Sequence, residues 1–342
     1  MKKKKVMHVL NSRKYSGAEN VVITLINATK TKVDSVYVSP DGPIREYLND
    51  NEISYYPVQK LTILEIRRVI KEVNPDIVHA HDFTAGIICA LSTNKLIINH
   101  LHNNSPWIKH YCLNSFIYAI SCIKYKKILT VSDSVMDEYV FGKWFKNKTE
   151  VIGNPVNLDR IRRLAGESDI KYDVAFLGRL SIQKNPYLFL DILAEVKKNK
   201  LNVKAIMIGD GELREDVKRR IQNLNLQDNV TLVGFQKNPF KYLNQAKILL
   251  MPSSWEGYGL AAVEALALGK PVVCSNVGGL PGIVNESCGK VCKSVEEYAD
   301  AVIKFLKDEE ALKTYGEAAR DRANEVGCMK EYVAKIMEVY NL

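Results

Sequence analysis

Short, almost uninterrupted apolar runs recur along the chain, separated by stretches whose apolar residues fall three and four positions apart. Val6–Leu10, Val33–Ser39, Ile53–Val58, Asp76–Asp82, Lys95–Asn99 and Ile128–Val131 read as strands. Ala18–Thr29 reads as a helix, and so does Ile63–Val73, with Ile63, Ile66, Ile70 and Val73 on one face and Asn74-Pro75 as its stop. Val151-Ile152-Gly153-Asn154-Pro155 ends in turn residues, and the pattern then starts afresh. Asp173–Leu177, Val203–Ile208, Val230–Phe235, Lys247–Pro252 and Pro271–Ser275 are the strands of this second half. Tyr187–Lys197 and Leu260–Leu268 are helices between them, and Val295–Leu342 reads as helical throughout. Strand alternating with helix predicts an α/β fold with doubly wound parallel sheets. The break predicts two domains, residues 1–153 and 154–325, followed by a closing helix at 326–342.

Composition narrows the class. The 342 residues are 46% apolar and 25% charged, as in a soluble globular protein, and no apolar run approaches the ~20 residues that span a bilayer. Lys2–Lys5 resembles the start of a signal peptide, but Val6–Leu10 behind it is broken by His8 and too short. The seven cysteines are scattered, and only Cys288 and Cys292 are close, so reduced thiols and a cytosolic address are expected. Residues 1–155 hold 21 Lys and Arg against 14 Asp and Glu, while the remainder holds 27 against 25. That excess suggests an anionic neighbour, membrane lipid or nucleic acid; lysine-rich faces that serve only solubility account for it equally.

Candidate chemistry concentrates in the second half. Glu264 sits in an apolar helix, where an unpaired buried carboxylate costs several kcal/mol, so a hydrogen-bond partner is expected. Glu256 lies in the preceding loop, and Gly257 and Gly259 around Tyr258 let a ligand approach the backbone before the helix N-terminus at Leu260. Arg179 and Lys184, beside the N-terminus of another helix, can grip a diphosphate from two directions. The bland alternative makes Glu264 a core carboxylate, Glu256 a solvated loop residue and the two cations solvated side chains. In the first half, strand alternation places His79 and His81 on one face, and the next strand delivers His100 and His102, followed by Asn103. Zinc ligation is not expected, because it needs convergent geometry and no carboxylate or thiol stands at a recognisable spacing. Ser105–Lys127 interleaves Trp107, Tyr111, Phe116, Tyr118 and Tyr125 with Lys109, Lys124, Lys126 and Lys127. It reads either as an interfacial helix on anionic lipid or as a core-facing helix with a lysine-rich end.

These residues carry a resemblance. Glu256–Glu264 resembles the E-x7-E motif of the retaining glycosyltransferases of family four, which have the GT-B fold. Gly178-Arg179-x4-Lys184, Gly269-Lys270-Pro271-Val272-Val273 and Asn276-Val277-Gly278-Gly279-Leu280-Pro281 resemble the segments around it. Ser16-Gly17-Ala18-Glu19 resembles the family's first loop, with Ser16 where a glycine is usual, and Gly282 stands where the family often has glutamate. The resemblance implies two Rossmann-like domains facing a central cleft, the first for the acceptor, the second for a nucleotide sugar, and a last helix crossing back onto the first. It implies that Arg179 and Lys184 bind the diphosphate, Glu264 the ribose and Glu256 a sugar hydroxyl, with His102 at the sugar or the incoming nucleophile. Gly17, Gly209, Phe235, Gly257, Tyr258, Gly259 and Leu260 complete the expected donor site. Ser16, Glu19, His79, His81 and Asn103 are expected on the acceptor side. The implied activity is metal-independent transfer of a hexose or N-acetylhexosamine, from a UDP-sugar by preference, to a glycan or lipid-linked acceptor in envelope or capsular polysaccharide synthesis. No cofactor and no nucleic acid are expected, and peripheral contact with the inner face of an anionic membrane stays open between the two readings of Ser105–Lys127. The alternatives are a GT-B nucleotide-sugar epimerase and, from another class, a basic nucleic-acid-binding protein.

Overall fold

The structure, a computed structural model, describes residues 3–199 and 202–341. Its chain forms two compact units, one running to Pro155 and taking back the chain from Cys328, the other Val156–Gly327.

The first unit is built on seven strands, β1 (Lys4–Val9), β2 (Val33–Pro40), β3 (Ser54–Val58), β4 (Ile77–His81), β5 (Leu96–Leu101), β6 (Lys127–Thr130) and β7 (Thr149–Val151). They pair in parallel in the order β3-β2-β1-β4-β5-β6-β7. Parallel neighbours need crossovers, and the amphipathic helices supply them. Helix Ile63–Val73 shows how local sequence sets its limits: the Thr62 side chain accepts the Glu65 N–H at its start, and Asn74 closes it at φ 45°. Its Ile66, Val69 and Ile70 are buried. The terminal helix Met329–Val339 belongs to this unit, because Tyr332, Ile336, Met337 and Tyr340 share one core with Val6, Leu25, Ile98 and Leu129.

The second unit carries β8 (Tyr172–Leu177), β9 (Ala205–Ile208), β10 (Val230–Gly234), β11 (Ala246–Met251), β12 (Val272–Ser275) and β13 (Gly289–Cys292), in the parallel order β10-β9-β8-β11-β12-β13. Val174, Phe176, Phe189, Leu193, Met207 and Val302 lie in its core.

In both sheets the chain begins on an interior strand, builds to one edge and then crosses to the other side of the first strand. β1 therefore borders β4, and β8 borders β11. Loops leaving such a pair run apart, which opens a crevice at the carboxyl ends of the strands.

Two strands, β7 and β13, escape the sequence pattern, being three and four residues long with a polar residue within each. The segment expected to be helical from Val295 consists of three helices, Val295–Lys307, Glu309–Val326 and Met329–Val339. Asp308 interrupts it by capping Ala311 N–H, and Gly327 with Cys328 interrupts it again. All seven cysteines are free. No helix among the described residues is long and apolar enough to cross a membrane.

Candidate active site

In the second unit the chain leaves β8 through Gly178 and leaves β9 through Gly209 at φ 137°. A Cβ on Gly209 would stand 2.0 Å from the Gly178 carbonyl oxygen, so only glycine lets the two loops meet. The loop after β8 is then laced to the loop after β11. Ser254 N–H donates to Gln183 O at 2.8 Å, and Gln183 Nε2 donates to Trp255 O at 3.2 Å. This lacing brings Lys184 Nζ onto Glu256 Oε1 as a short ion pair, and Ser253 Oγ donates to the same oxygen at 2.9 Å. Glu256 is buried, so it is not a solvated loop residue, and the ammonium and hydroxyl offset the cost of desolvating it. A third loop closes from β12: a Cβ on Gly278, at φ 56°, would overlap the Glu256 carbonyl oxygen at 1.7 Å.

Glu264 lies on helix Leu260–Ala267, whose N-cap is Gly259. The expected hydrogen-bond partner is not there. Glu264 is partly exposed and has no hydrogen-bond partner among the described residues. Desolvation pushes its carboxyl up to about 7, against the opposing pull of Lys184 and Arg160. Arg179, on the same loop as Lys184, is well exposed and pairs with Glu212 at 3.0 Å. Tyr258, expected beside the donor, is buried and donates its hydroxyl to Val326 O at 2.6 Å, so its side chain ties the loop to helix Glu309–Val326. Phe235 stands exposed just beyond β10.

The β1–β4 crevice of the first unit gathers histidines. His8 on β1 lies level with His79 on β4, and His81 on β4 with His100 on β5. His8 Nδ1 and His81 Nε2 are 3.2 Å apart, His81 Nδ1 and His102 Nε2 2.9 Å, and His79 Nδ1 and Tyr340 Oη 2.6 Å. His79 and His81 share a face, as alternation requires, but both are fully buried. This corrects the expectation that they line the acceptor surface: their face is packed against other rings and Tyr340. The four histidines delivered by β4 and the end of β5 converge, with His8 from β1 beside them. His8, His79 and His81, and again His81, His100 and His102, each bring three ring nitrogens within 4.8 Å. Neither set includes a carboxylate or thiolate to balance a divalent ion. Burial lowers every ring's pKa, His8 to about 3 and His102 to about 4, so all five are neutral at pH 7.

His102 also has company that sequence reading missed. Asp82, at φ 66°, accepts the His102 backbone N–H on Oδ1 at 3.0 Å, and burial pushes its carboxyl up to about 6. Asn99 Nδ2 supports it by donating to the Asp82 carbonyl at 3.1 Å. Glu19 is buried, takes a short hydrogen bond from Ser16 Oγ, and has its pKa raised by desolvation. Ser16 and Gly17 are exposed and Asn103 partly so. A neutral imidazole among carboxyls with raised pKa values is the kind of titratable cluster found at functional sites.

Comparison with known proteins gives two family matches, Glycosyltransferase Family 4 over residues 15–160 and Glycosyl transferases group 1 over residues 159–322. An uncharacterized glycosyltransferase of Methanocaldococcus jannaschii is 31% identical over 238 residues, which span 62% of this chain and only 58% of the relative. The UDP-Gal:alpha-D-GlcNAc-diphosphoundecaprenol alpha-1,3-galactosyltransferase of Escherichia coli is 22% identical over 87% of this chain and 86% of its own. Anabaena HepE, solved with UDP-glucose, matches at a TM-score of 0.85 over 99% of both chains with 20% identity, a likeness of fold. The fold is GT-B. With its two halves matched end to end by the two family models, the chain belongs to the group 1 glycosyltransferases of family four.

Proposed function

We propose that the protein is a retaining, metal-independent transferase that moves a hexose or N-acetylhexosamine from a nucleotide diphosphate sugar to a glycan or lipid-linked acceptor. The observation that carries this reading is the loop cage at the β8–β11 switch point, which pairs Lys184 with Glu256 in the loop before helix Leu260–Ala267, the helix that carries Glu264. The demanding step is departure of a charged diphosphate while positive charge grows at the anomeric carbon. Arg179, Lys184 and the N–H groups at Leu260 oppose that charge, at ~3 kcal/mol for each well-placed interaction. An arriving diphosphate competes with Glu256 for Lys184, and a sugar hydroxyl then takes the freed carboxylate. Two ribose hydroxyls donating to Glu264 favour its ionised form over the desolvated acid. His102, held neutral beside Asp82, serves the sugar or the acceptor hydroxyl.

No side chain is assigned as covalent nucleophile. The acceptor oxygen bonds to the anomeric carbon on the face from which the diphosphate leaves, and its proton passes to the departing phosphate oxygen. The chain has no Asp-x-Asp pair, and two cations are available for the metal's usual task. The donor named for the Escherichia coli relative and the ligand held by HepE favour a UDP-sugar. That relative's diphosphoundecaprenol acceptor supports a place in envelope polysaccharide synthesis at the inner face of an anionic membrane. An epimerase of similar architecture is the second enzymatic reading; nucleic-acid binding has only net charge in its favour.

Purified protein incubated with UDP-sugars, with and without acceptor and EDTA, tests the proposal. Transfer with the donor's anomeric configuration retained and no loss in EDTA is expected. Epimerised donor formed without acceptor would support the rival enzyme, and loss of activity in EDTA would remove the metal-free mechanism.

A further inference from the structure

Helix Leu113–Cys122 of the first unit is apolar on both sides. Tyr118, Ala119 and Cys122 face inward and are buried, with Tyr118 donating its hydroxyl to Asn99 Oδ1 at 2.6 Å. Leu113, Phe116, Ile120 and, just past its end, Ile123 form a second stripe that is 74, 49, 66 and 68% exposed. Tyr111 and Trp144 extend it, joined through Phe141, whose ring centroid lies 5.5 Å from Tyr111, 4.9 Å from Phe116 and 4.9 Å from Trp144. Six of the eleven large exposed hydrophobics among the described residues therefore form one continuous patch, which marks a contact surface rather than scatter.

Residues 105–150 carry seven lysines and four acidic residues, with Lys109 paired to Glu138 at 3.4 Å and Lys127 to Glu150 at 3.2 Å. Lys148 Nζ donates to Ile123 O at 2.8 Å, which fixes the 3₁₀ turn Gly142–Lys148 against the end of the helix and places Lys143 and Lys146 beside Trp144 in sequence.

We propose that this face docks on an anionic bilayer, with the Leu113–Ile123 stripe in the acyl boundary, Tyr111 and Trp144 at headgroup level and the lysines on lipid phosphates. Charge selects this occupant over a second copy of the chain, because self-association through the patch would bring two segments of net positive charge together. The inference deepens the reading of a lipid-linked acceptor and rests on it only for the purpose of docking, not for the surface itself.

Liposome flotation without substrate tests the surface. Full-length protein is expected to float with phosphatidylcholine vesicles containing phosphatidylglycerol, far less with phosphatidylcholine alone, and less again in high salt. Phe116→Glu with Ile120→Glu is expected to reduce flotation at least tenfold, and Lys143→Ser with Lys146→Ser, in an exposed turn where folding is not at stake, several-fold. Undiminished flotation of both variants, or dimerisation abolished by Phe116→Glu, would overturn the proposal. Transfer to a short, water-soluble acceptor separates it from the catalytic reading: the docking variants should retain that activity while losing transfer to acceptor embedded in vesicles.

Discussion

Lys184 and Glu256 neutralise each other inside one buried loop contact, so replacing either has two consequences. Lys184→Ala is expected to lower turnover by roughly a hundredfold, the usual loss for one electrostatic contact to a leaving group. It should also cost about 1–3 kcal/mol of stability by leaving Glu256 short of a partner. Adding Glu256→Gln should restore the melting midpoint and not the turnover; steady-state kinetics beside denaturant melts read both. Glu264 gives a prediction with a sign. Its carboxyl rises from 4.5 to about 7 on folding, so the native state holds a proton the unfolded chain has lost, and stability falls as pH rises between those values. Glu264→Gln should therefore stabilise the protein by about 1–3 kcal/mol at pH 8, leave it nearly unchanged at pH 4, and weaken UDP binding. Equal stabilisation at both pH values would contradict the assignment. At this scale spacing singled out Arg179, Lys184, Glu256 and Glu264, and the structure pairs Lys184 with Glu256 and Arg179 with Glu212. Asp82 was not, because its role comes from a left-handed backbone at Asp82 and from burial that no neighbouring residue signals.

At the scale of elements, β1, β4 and β5 bring five neutral imidazoles together. Unfolded histidines take up protons near pH 6.5, while the folded rings resist until about 4 for His102 and about 3 for His8. Their depressed values contribute stability that is present above pH 6.5 and lost as pH falls through that window, at ~1.4 kcal/mol per pH unit for each ring. Asp82, Glu19 and Glu264 act oppositely, with folded values raised, but the rings outnumber them. The melting temperature should therefore drop steeply between pH 6.5 and 5, and a His100→Asn variant should show a shallower fall in the same fluorimetric scan. Alternation in sequence showed that His79 and His81 share a face, yet it carried no sign of which partner covers it. Helix Leu113–Cys122 poses the same problem in another form. Both of its stripes are apolar, and a helical period identifies an apolar stripe without telling which one the sheet will take.

At the scale of the molecule, the chain from Cys328 supplies Tyr332, Ile336, Met337 and Tyr340 to the core of the first unit. Four such side chains are each worth about 1.5–3 kcal/mol of burial, comparable together with the whole 5–15 kcal/mol of a typical domain. A chain ending at Gly327 is expected to lose the cooperative fold of the first unit, read as rapid proteolysis of residues before Pro155, while Val156–Gly327 keeps its protection and its thermal response to UDP. Slow, uniform proteolysis would show that the terminal helix is dispensable. Strand and helix alternation, the restart near Pro155 and the spacings of Arg179 to Lys184 and of Glu256 to Glu264 are properties of residues close together in the chain, and the sequence by itself determined them. Only the tertiary structure decided that three loops close on Glu256, that His8 joins the four other histidines, and that one apolar stripe stays outside. Those outcomes depend on strand order, which sets distant segments side by side through contacts that local periodicity does not encode.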